Sequence, residues 1–237
     1  MPSAPKRGKR DNRGFTLIEV LVAIAVMALM TLMAWRGIDG MLRTQTGLQQ
    51  RGDDIRTLQA GLAQWQVDLD QLTELTGTPS WDWNGQVLRL TRRTAMGNDV
   101  QVVAWTWRNN LSGVNGGQWQ RWQSQPLNQL KDWQTSWQLA AQWGQTPDDN
   151  SRAGQTQIQP LQGWQIFVHR GGSWTNPLSS DVVTPSGGSN PGKPAAGTIP
   201  DGVRLVLDLP AASPLASGAG GPITLDWVRP TFSGPKS

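Results

Sequence analysis

Arg13-Gly14-Phe15-Thr16-Leu17-Ile18-Glu19 opens an apolar run that continues to Trp35. From Phe15 to Trp35 is 21 residues. As a helix that is about 31 Å, the thickness of a bilayer's hydrocarbon core. Glu19 is the one ionisable side chain within it. A carboxylate at membrane depth is costly, so its default meaning is functional, with a partner to be found.

Upstream, Lys6, Arg7, Lys9, Arg10 and Arg13 face only Asp11, five cations against one carboxylate. The whole chain of 237 residues carries a net charge of +4, so everything from Phe15 onward is formally neutral. A pI of about 10.1 suggests a nucleic-acid binder, but the basicity belongs to the first 14 residues alone. Nucleic acid is therefore not an expected partner. Cations flanking a membrane segment stay cytoplasmic, which places the rest of the chain on the outer side. An ordinary secretory signal or an uncleaved anchor also begins with basic residues and an apolar run. A secretory apolar region is shorter and ends at a small-residue site. Glu19 separates the three.

Gly14-Phe15-Thr16-Leu17-Ile18-Glu19 followed by an apolar helix resembles the class III signal of type IV pilins and of type II secretion pseudopilins. The resemblance implies that a prepilin peptidase cuts between Gly14 and Phe15. It implies that Phe15 is then N-methylated. It also implies that Glu19 pairs with the N-terminal ammonium of a neighbouring subunit as the chain enters a filament.

Past Trp35 the helical pattern continues. Ile38, Met41, Leu48, Ile55, Leu58, Leu62, Trp65, Leu69 and Leu72 keep spacings of three, four and seven, with Arg43, Arg51, Asp53, Asp54, Arg56, Asp68 and Asp70 between them. One apolar stripe on a polar helix is expected. Packing on the chain's own sheet accounts for such a stripe, but Leu48, Ile55, Leu58, Leu62 and Trp65 form a line too long to be covered wholly by it. Part is expected to face a neighbour's helix. Gly37, Gly40, Gly47, Gly52 and Gly61 lower helix propensity and make bending plausible. Pro79 ends the element.

From there the period falls to two. Leu88 and Leu90, then Val103, Trp105 and Trp107, then Trp164, Ile166 and Val168, then Val203, Leu205, Leu207 and Leu209, then Ile223, Leu225 and Trp227 read as half-buried antiparallel strands. The segment from Trp133 to Trp143 fits either strand or helix. Residues 171–200 hold 16 Gly, Pro or Ser among 30, and residues 210–222 are similar, so both read as surface loops. The organisation expected is a leader, 1–14; a membrane half of the helix, 15–36; an amphipathic half, 37–75; and a β-rich domain, 76–237. The fold class is α+β: a long N-terminal helix packed on an antiparallel sheet, with long Gly/Ser/Pro loops.

Ala34-Trp35-Arg36-Gly37-Ile38-Asp39 resembles the end of the membrane helix in J-type minor pseudopilins of type II secretion. Gly163 to Val168, with Trp174 after a glycine pair, resembles the late hairpin of that family, and Ile199 to Leu205 its strand entry. Gly202, where the family often has Ala, and the long Gly/Ser/Pro insertion depart from it. The resemblance implies a non-catalytic subunit at the tip of a periplasmic pseudopilus, anchored in the inner membrane, that helps initiate assembly and the export of folded proteins. Its implied partners are the prepilin peptidase, I-type and K-type minor pseudopilins, other pseudopilins, the inner-membrane assembly platform and membrane lipid. A minor pilin of a type IV pilus or DNA-uptake filament shares the leader and helix.

The chain has no Cys, one His (His169) and two Glu, Glu19 and Glu74. That leaves little for acid–base or thiol chemistry, and no catalytic residue, metal or cofactor is expected. His169 reads as a surface side chain. Asp148-Asp149-Asn150 lacks the ligand spacing of a calcium loop and reads as a turn. Fourteen Trp and no Tyr invite a carbohydrate or aromatic-ligand site. Trp81 and Trp83 read as an exposed pair, and Trp119, Trp122, Trp133, Trp137 and Trp143 as core or interface anchors. The bland alternative is that Trp replaces Tyr as the large core residue.

Overall fold

A computed structural model of the chain describes residues 15–95, 97, 99–109, 116–170, 172–179, 199–210 and 221–230. Gly14, the rest of the leader and most of the two Gly/Ser/Pro segments lie outside these residues. The chain divides into two units after Gln50.

Helix α1, Leu17–Asp70, supplies the described helix of the first unit and enters the second. Up to Gln50 none of its side chains is buried: Ile24, Leu32 and Met41 are 59%, 60% and 75% exposed. Such a surface is stable only in lipid or against another apolar face. From Leu58 onward the same helix buries Leu58, Gly61, Trp65, Asp68 and Leu69.

α1 ends at Asp70, short of the expected boundary at residue 75. The backbone that follows is captured by a strand. Thr73 N–H donates to Thr91, and Arg93 N–H donates to Gln71. Residues 71–73 thus satisfy polar groups at a strand edge, where further helix would leave them unpaired.

The second unit holds two antiparallel sheets. Strands β1 (Trp81–Trp83), β2 (Val87–Arg93), β3 (Val100–Asn109), β4 (Gly117–Gln123) and β5 (Gln155–Leu161) form the first in that order. Helices α2 (Leu130–Gln145) and α3 (Asp149–Arg152) lie between β4 and β5 in the chain. The second sheet runs β7 (Ser173–Thr175), β6 (Gly163–Arg170), β8 (Gly202–Asp208), β9 (Ile223–Val228). All five strand segments read from the period of two are present; β1, β4 and β5 were not legible that way.

One core joins Leu58, Trp65 and Leu69 of α1 to both sheets, through Leu88, Leu90, Trp105 and Trp119 of the first and Ile166, Val203, Leu205 and Trp227 of the second. A second core lies on the other face of the first sheet. There Val87, Val102, Ala104 and Trp122 meet Trp133, Trp137, Ala140 and Trp143 of α2. The expectation of half-buried strands is therefore corrected for the first sheet. Ala104 and Thr106 are fully buried like Val103 and Trp105, because α2 covers the face that alternation alone assigns to water. The ambiguous segment is a helix for the same reason: Trp133, Trp137, Ala140 and Trp143 fall on one face at helical spacing.

Gly61 is needed for contact rather than for bending. A Cβ there would stand 2.5 Å from Ile158 Cγ2 and 3.0 Å from Trp119 Cζ3. The missing side chain lets α1 approach the sheet.

Candidate functional site: an N-terminal carboxylate and an exposed helix surface

Thr16 and Glu19 form a reciprocal cap at the start of α1. Glu19 Oε2 accepts from Thr16 N–H at 3.0 Å and from Thr16 Oγ1 at 2.9 Å, and Glu19 N–H donates to Thr16 Oγ1 at 3.4 Å. This is the capping box of a Thr followed three residues later by a Glu. Its Thr-x-x-Glu spacing is a signature present in the sequence itself. Both bonds to the carboxylate fall on Oε2, leaving Oε1 available to an incoming cation without breaking the cap. Phe15, 88% exposed, and Leu17, 78% exposed, flank it. The structure thus presents an oriented carboxylate at the rim of a bilayer-length apolar surface.

α1 is long and apolar enough to cross a membrane. Farther along, the helical stripe splits. Leu48 is 65% and Ile55 37% exposed, while Leu58 and Trp65 are buried and Leu62 is half-buried against the core. Within the second unit Ile55 is exposed and Leu58 is buried.

The tryptophans give a correction. Trp119, Trp122, Trp133, Trp137 and Trp143 are all buried, and so are Trp65, Trp81, Trp105 and Trp227. Trp81 is therefore no member of an exposed pair, and the 119–143 group supplies no surface anchors or carbohydrate platform. These rings pack on one another, as Trp65 does edge-on to Trp105 at 5.3 Å and Trp133 does in a stack with Trp137 at 5.0 Å. Indole is here the core-filling side chain.

Asp68 is the group that pattern-based reasoning missed. It sits among the polar positions of α1 yet has no exposed surface. Oδ2 accepts from Arg121 Nε at 2.7 Å and Trp105 Nε1 at 2.9 Å; Oδ1 accepts from Arg121 Nη2 and Gln64 Nε2, each at 2.9 Å. Arg92 Nη1 adds a contact at 2.9 Å. Two arginines share one carboxylate; Arg92 Nη2 also donates to the Gln101 amide oxygen and Arg121 Nη1 to that of Gln123. Burial lowers the Arg92 pKa, opposed by the Asp68 charge. The cluster is a structural clamp that fixes the register of α1 on the first sheet.

No group of three or more His, Cys, Asp or Glu gathers among the described residues. His169 lies half-buried on β6 with its ring 5.3 Å from that of Trp174. Asp148 caps α3 in a box with Ser151, so Asp148-Asp149-Asn150, read as a turn, is the start of a short helix.

Residues 9–35 match the prokaryotic N-terminal methylation motif. The chain thus carries a prepilin-type N-methylation sequence ahead of a long apolar helix and antiparallel sheets. Among solved structures, a chain of the GspK-GspI-GspJ complex from the enterotoxigenic Escherichia coli type 2 secretion system is similar at 13% identity, covering 74% of this chain and 96% of that chain, with a TM-score of 0.40.

Proposed function

We propose that this chain is a J-type minor pseudopilin of a type II secretion system. It is a non-catalytic subunit of the inner membrane that joins I-type and K-type partners at the tip of a periplasmic pseudopilus and helps initiate assembly. The carrying observation is Glu19, held by its cap with Oε1 open, inside an N-methylation motif that leads a bilayer-length helix. The peptidase cuts between Gly14 and Phe15, and the neighbour's new ammonium meets Glu19. The basic residues before Gly14 keep the N-terminus cytoplasmic and send the second unit outward. Of the stretches that resemble J-type sequences, Ala34 to Asp39 lies on α1, and the later ones fall on or lead into β6, β7 and β8, three adjoining strands of one sheet. The assembly platform and surrounding lipid complete the set of partners.

The test is to purify the chain from Arg43 onward and mix it with the corresponding soluble parts of I-type and K-type subunits. Sizing chromatography with light scattering reads the outcome. A mixed complex is expected, lost when Leu48 and Ile55 are changed to Asp while circular dichroism stays unchanged. Binding to the minor pilins of a type IV pilus instead would move the chain to that filament.

A further inference from the structure

The turn Asn84-Gly85-Gln86 joins β1 to β2. Asn84 and Gly85 are both exposed, and Gly85 holds φ +94°, a conformation that suits glycine. The Asn84 carboxamide is fixed in place: Oδ1 accepts from Gln86 N–H at 3.0 Å and from Val87 N–H at 2.8 Å. Asparagine commonly closes a turn on its own backbone in this way. Gly85 N–H donates to no acceptor among the described residues.

These features meet at one reactive bond. The peptide nitrogen after an asparagine can attack the side-chain Cγ, and a glycine there has no Cβ to hinder the approach. Negative charge then develops on Oδ1, the atom that two backbone donors already face. Donors placed on a developing oxyanion lower the barrier to such an attack. Elsewhere the route is closed. Asn176 precedes Pro177, whose nitrogen carries no proton. Ser151 N–H, after Asn150, is bound to Asp148 Oδ1 at 2.7 Å. Among the described residues Asn84 is the only asparagine followed by glycine.

We propose that Asn84 is a site of spontaneous deamidation in the folded chain. Gly85 N loses its proton and bonds to Asn84 Cγ, and the Cγ–Nδ2 bond breaks to release ammonia. Water then opens the cyclic imide at either carbonyl, leaving aspartate or isoaspartate at position 84. A water enters and an ammonia leaves, with no change of oxidation state. Aspartate keeps the acceptor for both N–H groups and adds a negative charge to the turn. Isoaspartate inserts a carbon into the main chain, beside the bond from Asn84 N–H to the Val87 carbonyl at 3.4 Å that closes the hairpin. The site is separate from the N-terminal carboxylate and does not depend on the filament assignment.

The experiment keeps the full chain in detergent micelles for days, in mildly alkaline buffer made with oxygen-18 water. Mass spectrometry of its peptides reads the outcome. The expected result is conversion at Asn84, with heavy oxygen in the product, while the Asn150 and Asn176 peptides stay unchanged. Gly85→Ala is expected to lose most of that conversion. Asn84→Gln, which keeps the amide on a longer arm, is expected to lose all of it with an unchanged circular dichroism spectrum. A folded chain that leaves Asn84 intact overturns the proposal; conversion only after unfolding in urea would show that the turn protects the residue. Equal conversion at Asn150, or an undiminished rate in Gly85→Ala, overturns it as well.

Discussion

Arg121 grips Asp68 with both arms of its guanidinium, Nε to Oδ2 at 2.7 Å and Nη2 to Oδ1 at 2.9 Å. Neither side chain is appreciably exposed, at 8% and 0%. The pair joins a helix that begins in an apolar, bilayer-length segment to the fourth strand of a sheet. Replacing the partner of a buried ion leaves an uncompensated charge, which costs about 3–5 kcal/mol. Here two arginines, Arg92 and Arg121, would be stranded. Asp68→Ala is expected to lose stability of about that size in urea denaturation. A loss below about 1 kcal/mol, the size of an exposed pair, would remove Asp68 from its role as clamp.

Gly61 and Gly52 are expected to respond oppositely to alanine. At Gly52 nothing lies within 4 Å of an added Cβ, so the change should recover up to about 1 kcal/mol of helix propensity. At Gly61 the same methyl meets Ile158 and Trp119. Overpacking of about 1–3 kcal/mol then exceeds the propensity gain. Denaturation midpoints of the two variants should move in opposite directions.

Acid should weaken the fold through Asp226 and Asp148. Bidentate bonds from Arg204, both 2.7 Å, hold the Asp226 carboxyl below its ordinary range. The Ser151 hydroxyl and N–H do the same for Asp148. A carboxylate with a lowered folded pKa contributes stability above its unfolded value of about 3.9, and loses it as pH falls through the folded value. Urea midpoints should therefore drop between about pH 5 and pH 3, and the drop should be smaller in Asp226→Asn. An identical acid profile in that variant would show that the pair contributes nothing to folding.

Glu19→Ala is expected to leave cleavage and membrane insertion intact while reducing cross-linking to the other pilin-like subunits and the export they support. Glu19→Gln retains an acceptor for Thr16 but no charge. It should fail like Ala if the pairing is ionic. Normal incorporation of both variants would remove the carboxylate from assembly.

Replacing Gly14 with a bulky residue should leave the leader attached, which the mass of the N-terminal peptide reads directly. A mature N-terminus at Phe15 despite that change would overturn the reading of this stretch as a glycine-dependent class III signal.

Part of the fold and of the candidate site was legible in the order along the chain. Gly14, Phe15 and Glu19 lie within seven residues of one another, and the apolar length after them is itself the membrane signal. The strands β2, β3, β6, β8 and β9 declared themselves through alternation, which reports one side chain's burial at a time. What alternation does not report is what covers the other face. Ala104 and Thr106 look half-exposed until α2 is placed over them, and the run from Trp133 to Trp143 resolves into a helix only where that face needs covering. Asp68 is the sharpest case. By spacing it is a solvated position two residues from Asp70, and burying it alone is prohibitive. Arg92 of β2 and Arg121 of β4 make the burial possible, and their approach exists only in the assembled sheet. The Trp residues follow the same division: composition announced large core residues in place of Tyr, while the packing of α1 and α2 on the sheets decided that Trp81 and the 119–143 group lie inside and not on the surface.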